Sequence, residues 1–422
     1  MDLRIYGHDY GLKQAEDYQE LKFQLHRYLI GQIELDHIAP LEVPRAVLDD
    51  YVHDKVARYI ADKRLAVSAQ DIENLSEEMV DELVGYGPLE SLIQDDRIND
   101  ILVNGARNIY VERDGKLERT NLRFIDDEHV VRVIRRILAH LGRRIDEASP
   151  MVDARLPDGS RINAIIPPLA LDGPCLSIRK FRKEPLQAND LIQLGTLDSG
   201  LLAFLTHAVA ARCNIIVSGG TGAGKTTLLN VLSRFIPQNE RIVTIEDAAE
   251  LQLDHDHVVR LETRPANIDN VGEISTRDLL RNSLRMRPDR IVLGEVRGVE
   301  VMDVLQAMNT GHDGCMSTVH ANSPTDALLR LEMLAGLAKF QGSEDTLRKM
   351  ISAAIELVIQ IGRLPNGQRK VLSVAEIIGV RDNQIVSNEL YTYDEASNSF
   401  VSSNSNPYSP KLRNFSPAGR WL

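Results

Sequence analysis

Gly219-Gly220-Thr221-Gly222-Ala223-Gly224-Lys225-Thr226-Thr227 fits the phosphate-loop spacing G-x-x-x-x-G-K-[ST], with Gly219, Gly224, Lys225 and Thr226 in the fixed places. Its flanks fit as well. Asn214 to Ser218 predicts a buried strand, and Thr226 to Leu232 predicts the start of a helix. Glycines let backbone N–H groups wrap phosphates, and a helix N-terminus adds positive potential. Lys225 is then placed to reach the β- and γ-phosphates of ATP, and Thr226 to ligate Mg²⁺. All nine residues, Gly219 through Thr227, are candidate nucleotide contacts. The bland alternative, a Gly-rich turn between strand and helix, does not account for both flanks.

Outward from the loop, strands alternate with helices from about residue 190 to 380, the signature of an α/β fold with a parallel sheet. Candidate strands are 214–218, 241–246, 257–262, 290–294 and 315–319, and Asn366-Gly367 predicts a late hairpin that extends the sheet. Upstream, Lys183-Glu184-Pro185 marks a linker. Residues 76–185 read as a small α+β domain. It holds strands at Ile101 to Asn104 and Ile109 to Glu112 before an Asp114-Gly115 turn, and a helical stripe of Val130, Ile134, Ile137, Leu138 and Leu141. A second hairpin, Met151 to Arg155 with Arg161 to Ile166, turns at Asp158-Gly159, and Cys175 to Phe181 adds a strand. Residues 1–75 read as a helical docking module, with apolar spacing over Tyr18 to Ile30 and Val43 to Leu65 and punctuation at Pro40 and Pro44. The expected organisation is thus 1–75, 76–185 and 190–392, with a flexible tail at 393–422 that is rich in Ser, Asn and Pro.

At 422 residues the chain is long enough for two or three domains. Hydrophobic content of 43 % and charged content of 26 % are those of an ordinary globular protein, and the 5 % of aromatics leaves the cores mainly aliphatic. The net charge of -12 argues against nucleic-acid binding as the main task. Cys175, Cys213 and Cys315 have no metal spacing and suggest a reducing compartment. No apolar run reaches the length of a membrane span, and the N-terminus lacks a signal-peptide core. The expected location is cytoplasmic, with any membrane contact peripheral.

Carboxylates close two of the predicted strands. Arg290 to Leu293 leads through Gly294 to Glu295, a Glu at the strand tip that is suited to polarising an attacking water. Arg241 to Ile245 leads into Glu246-Asp247, and acids crowded at a sheet tip repel one another unless a cation or hydrogen bonds sit among them. Glu246 therefore reads as a group around Mg²⁺ and its waters. His320 follows a fifth strand on the side where open α/β sheets bind ligands, and is placed to hydrogen-bond a γ-phosphate. Arg155, Arg161, Arg179 and Arg182 recur around the α+β domain, and Arg is suited to bidentate phosphate contact. A solvated acid, a satisfied structural histidine and exposed arginines are the plain alternatives for each.

Together these pieces resemble the secretion ATPase superfamily of type II secretion, type IV pili and type IV secretion. Four boxes stand in order: Walker A (Gly219 to Thr226), an Asp box (Thr244-Ile245-Glu246-Asp247), an atypical Walker B (Ile291 to Glu295) and a His box (Gly311 to Asn322). Leu284 to Arg290 leads into Walker B as a similar run does in the family, and Leu156 to Asn163 and Ser177 to Phe181 look like its N-terminal nucleotide-contacting segments. The chain is most similar to the CpaF/TadA branch, the ATPases of Tad (Flp) pilus systems. A helical module precedes the α+β domain there, and no four-cysteine zinc module is present here.

The resemblance implies a RecA-like ATPase domain behind a PAS-like α+β domain, in a hexameric ring with nucleotide between the two domains of each subunit. It implies ATP and Mg²⁺ as cofactors and inner-membrane pilus platform proteins as partners, without nucleic acid. It assigns Lys225 and Thr226 to phosphate and Mg²⁺, Glu295 to the catalytic glutamate, Glu246 to the Asp-box acid and His320 to the last His-box histidine. Arg161, Arg179 and Arg287 become further phosphate contacts. Two rival readings have their own signatures. A nucleic-acid motor on the same core predicts DNA-stimulated hydrolysis with steep salt dependence. A non-hydrolysing switch predicts that replacing Glu295 by Gln changes little.

Overall fold

The computed structural model describes residues 15–40, 42–113, 116–181, 186–264, 271–403 and 406–413. The chain divides into two compact units, Met1–Arg182 and Lys183–Leu422. The predicted Asp114-Gly115 turn, Arg182 and the Lys183-Glu184-Pro185 linker lie outside the described residues.

The first unit opens with helices α1 (Ala15–Leu35), α2 (Arg45–Asp62) and α3 (Ala69–Val84). Leu21, Leu25 and Leu29 on α1 and Leu48, Val52, Val56 and Ile60 on α2 repeat every four residues, so each helix buries one stripe. They pack with Leu75, Met79, Val80 and Leu83 of α3 into one core. The Ser68 hydroxyl caps α3 by accepting from Asp71 N. The expected boundary at residue 75 is therefore corrected: α3 runs through it, because its apolar face belongs to the helical core on both sides of that point.

The rest of the unit holds α4 (Glu90–Gln94), β1 (Ile98–Asn104), β2 (Ile109–Arg113), β3 (Lys116–Arg119), α5 (Asp127–His140), β4 (Met151–Arg155), β5 (Arg161–Ile165) and β6 (Cys175–Arg179). The strands form an antiparallel sheet in the order β3-β2-β1-β6-β5-β4. The predicted stripe on α5, with Val130, Ile134, Ile137 and Leu138 buried, covers Ile101, Val103, Ile162 and Ile178.

The second unit contains α6 (Ala188–Gln193), α7 (Ser199–Ala210), β7 (Ile215–Ser218), α8 (Lys225–Ser233), β8 (Ile242–Glu246), β9 (Val258–Glu262), α9 (Thr276–Ser283) and β10 (Arg290–Leu293). It continues with α10 (Val301–Asn309), β11 (Met316–Val319), α11 (Pro324–Leu337), α12 (Glu344–Ala354), β12 (Leu357–Arg363), β13 (Arg369–Arg381), β14 (Gln384–Asp394) and β15 (Ser399–Ser402). These strands form one sheet in the order β15-β14-β13-β12-β7-β11-β10-β8-β9. It is parallel from β12 to β9 and antiparallel from β12 outward to β15. The five predicted strands appear within a residue of their expected ends; β7 and β10 are buried on both faces and read as near-continuous apolar runs. Residues of α7 and α8 pack one face, and α9 to α12 pack the other. This is a RecA-like α/β core, with β7 in its interior and the phosphate loop at the C-terminal ends of the parallel strands.

The described part of the expected tail also departs from expectation, while 404–405 and 414–422 lie outside the described residues. β15 extends the sheet, Leu412 is fully buried, and the Lys411 ammonium bonds Glu356 Oε1 at 2.5 Å and the Arg212 carbonyl at 2.9 Å. The polar composition hid a few well-spaced anchors, Phe400, Leu412 and Lys411, that tie residues 399–403 and 406–413 to the second unit.

Candidate active site

The phosphate loop joins β7 to α8. Gly224 is the residue before α8 and takes a left-handed φ of 99°, as does Gly222 at 68°. No side chain caps α8, so its first N–H groups are open to an anion. Gly219 has to be glycine for a second reason: a Cβ there would run into the Ile361 carbonyl of β12. The Lys225 ammonium donates to the Gly220 carbonyl at 3.0 Å, folded back over its own loop. Burial pushes the Lys225 pKa down, and the charge of Glu295 opposes that push. Because β7, β11 and β10 run parallel, the loop after β7 and Glu295 after β10 come to the same side of the sheet, although 70 residues separate Lys225 and Glu295 in sequence. Thr226 and Thr227 follow on the first turn of α8, half-buried.

Glu295 is held by strand ends. Gly294 N donates to the Ile245 carbonyl at 2.9 Å, Val296 N to the Thr318 carbonyl at 2.9 Å, and the Thr318 hydroxyl to the Gly294 carbonyl at 2.8 Å. Walker B therefore sits between the Asp-box strand β8 and the His-box strand β11. Glu246 ends β8 almost fully buried. Its Oε2 accepts from the backbone of Glu250 at 2.7 Å and Leu251 at 2.9 Å, while its buried Oε1 has no protein partner. Burial raises its pKa, and those two backbone donors counter the rise. Asp247 is engaged otherwise: it pairs with Arg297 and accepts from the hydroxyls of Thr263 at 3.3 Å and Thr276 at 3.1 Å. His320 is exposed just past β11, and the neighbouring Val319 carbonyl accepts from Gly219 N at 3.3 Å. His box, Walker A, Walker B and Asp box thus lie together at the C-terminal ends of neighbouring parallel strands.

Two of the predicted arginines belong to the first unit. Arg161 of β5 lies directly across from Arg179 of β6 and from Arg155 of β4, a row of cations in the first unit. Arg179 bonds Asp100 at 3.1 Å, which anchors that row at β1. Arg287 lies away from the phosphate loop of its own chain. It stands exposed before β10, at the strand end opposite the phosphate loop, because β10 runs parallel to β7 through β11. A cavity of about 410 Å³ around Arg277, Arg281 and Asp303 likewise lies on α9, α10 and α12 rather than at the loop.

The site fits a magnesium nucleotide. Among the described residues no group of three His, Cys, Asp or Glu side chains converges on a metal. Mg²⁺ needs no such cage, being held by one or two carboxylates, a hydroxyl and phosphates. The orphaned Glu246 Oε1 at the end of β8 and the Thr226 hydroxyl on the first turn of α8 are donors of that kind. Sequence reasoning missed two neighbours. Arg369 of β13 donates to the Gly222 carbonyl at 2.9 Å, and Gln360 of β12 donates to the Ala321 carbonyl at 3.4 Å from a buried position. The Asn366-Gly367 turn signal pointed to their hairpin, but nothing in the sequence placed β12 beside β7.

The family described as “Type II/IV secretion system protein” matches residues 82–395. A “Putative conjugal transfer protein” of Mycobacterium tuberculosis is 41% identical over 300 residues, 70% of this chain and 85% of that one. The “Type IV secretion system protein PtlH” of Bordetella pertussis is 34% identical over 294 residues, 63% of this chain and 86% of that one. Among solved structures, the pilus retraction motor PilT with bound ADP has a TM-score of 0.50 at 23% identity, covering 68% of this chain and 80% of that one, a likeness of fold.

Proposed function

The chain belongs to the family of type II/IV secretion system proteins and is a secretion ATPase, and we propose that it works as a hexameric motor that powers assembly of a Tad (Flp) pilus or a related secretion machine. The observation that supports this reading most directly is the uncapped phosphate loop between β7 and α8, shaped by Gly219, Gly222 and Gly224, with the Glu295 turn hydrogen-bonded to the ends of β8 and β11 on the same side of the sheet. Lys225 and the open N–H groups of α8 bind the phosphates. Glu295 orients the attacking water, and His320 hydrogen-bonds the γ-phosphate. Thr226 and Glu246 would hold Mg²⁺, which would supply charge neutralisation to the phosphates. The remaining loop residues Gly219 to Ala223, with Gly224 and Thr227, line the nucleotide, and Arg161 and Arg179 are further phosphate contacts. Such hydrolysis needs positioning and charge neutralisation rather than a covalent intermediate.

No helix among the described residues is long and apolar enough to cross a membrane. The proposed place of work is the cytoplasmic side of the inner membrane, against a pilus platform protein. Steady-state ATP hydrolysis measured against protein concentration, with light scattering on the same samples, tests the ring. Specific activity should rise as a ring-sized species appears. Full activity in a persistent monomer would rule out a motor whose sites are shared between subunits.

A further inference from the structure

The phosphate loop rests on a hairpin that the four family-like boxes do not include. From β13, 147 residues downstream, the Arg369 Nε donates to the Gly222 carbonyl at 2.9 Å. The Arg369 Cδ would stand 3.3 Å from a Cβ on Gly224, and the Ile361 Cδ1 3.5 Å from it. Ile361 also closes on Gly219, so residues of β12 and β13 wall one side of the loop. Arg369 itself is exposed, as are Thr221 and Gly222 beside it.

The plain alternative is a surface arginine that trims a loop carbonyl. A single exposed hydrogen bond of that kind contributes little to stability, and a lysine or glutamine would serve as well. What arginine adds is the rest of its planar fork. With Nε spent on the loop, both Nη nitrogens remain, and among the described residues the Arg369 guanidinium makes no other hydrogen bond and no ion pair. A guanidinium fixed at one nitrogen is oriented before any ligand arrives, which lowers the entropy lost on binding. A nucleoside triphosphate carries several negative charges, more than one lysine balances.

We propose that Arg369 is a second phosphate-binding cation of this site, held against the loop at Gly222 and presenting its Nη edge to the polyphosphate of a nucleoside di- or triphosphate. The proposal rests on the nucleotide-site reading above and adds to it a residue from outside the four boxes. The late hairpin thereby becomes part of the binding site.

The test compares the full-length wild type with R369A and R369K, using a fluorescent ADP analogue for affinity and steady-state ATP hydrolysis for KM and kcat. R369A should weaken ADP binding about tenfold and raise KM in step, with kcat within about threefold of wild type. R369K, which keeps the charge and loses the fork, should fall between the two. If R369A fails to fold, R369K alone must still bind ADP more weakly than wild type. Unchanged ADP affinity in both variants, or a loss confined to kcat, overturns the assignment. A wild type that neither binds ADP nor hydrolyses ATP overturns the nucleotide-site reading itself. That result is distinct from a working wild type with an indifferent Arg369.

Discussion

At the scale of single residues, Lys225 and Glu295 carry opposite charges on one side of the sheet but have separable tasks. Lys225 meets phosphates that are present in the ground state, so Lys225→Ala should abolish detectable ATP binding and hydrolysis together. Glu295 acts on the attacking water, which matters only as the reaction proceeds. Glu295→Gln keeps the shape and removes the charge, so it should bind ATP as wild type does while kcat falls by about a hundredfold or more. Equilibrium binding of a fluorescent nucleotide beside steady-state turnover reads both numbers. Equal loss of affinity in the two variants would place Glu295 in binding rather than in chemistry. Gly294 supports this arrangement: a Cβ there would stand 3.2 Å from the Glu246 Cγ, so the Asp-box acid packs against the Walker B turn.

At the scale of elements, helix α1 enters the first unit's interior with a titratable load. The His26 ring stacks on His129 at 5.5 Å, and His129 Nε2 stands 3.1 Å from Glu82 Oε2, with Arg132 and Arg136 also facing the site. Burial pushes the His26 imidazole down to about 4, against the pull of Glu82. In the fold it is neutral, whereas the unfolded chain protonates it below about 6.5, so unfolding takes up a proton between those values. Stability should therefore fall as the pH drops from about 6.5 toward 4. Urea unfolding at pH 7 and pH 5 should show His26→Leu losing about 2 kcal/mol less than wild type across that interval. An equal loss in both would mean that α1 is not sensing acid through this ring. The same scale shows what could be read from sequence. Strands β7, β8 and β10 are legible because each is a mainly apolar run with a turn or an acid at its end. Helix α3 was not, since its buried face includes Asp71, Asn74, Ser76 and Glu82 among its apolar residues. The setting of Arg369 was not legible either. Its place at the phosphate loop depends on β12 lying beside β7, and strand order is fixed by packing over 140 residues rather than by any local pattern.

At the scale of the whole molecule, the proposed ring predicts that subunits fail collectively. Glu295→Gln is the suitable probe, because it should occupy its place in a ring and hold ATP without turning over. If each subunit hydrolyses independently, adding an equal amount of this variant to wild type leaves about half of the activity per total protein. If a turnover in one subunit must be followed by turnover in its neighbours, one stalled member blocks its ring, and an equal mixture should retain only a few per cent of the activity, on the order of one half to the sixth power. The subunits must be mixed under dissociating conditions and reassembled, with scattering used to verify ring-sized species before assay. A straight line from full activity to none would remove the mechanical coupling that a motor requires, while leaving Lys225 and Glu295 as an ordinary ATPase site. A steeply bowed curve would tie the chemistry at the strand ends to motion of the assembly, which is the property that separates a secretion motor from a nucleotide-hydrolysing monomer.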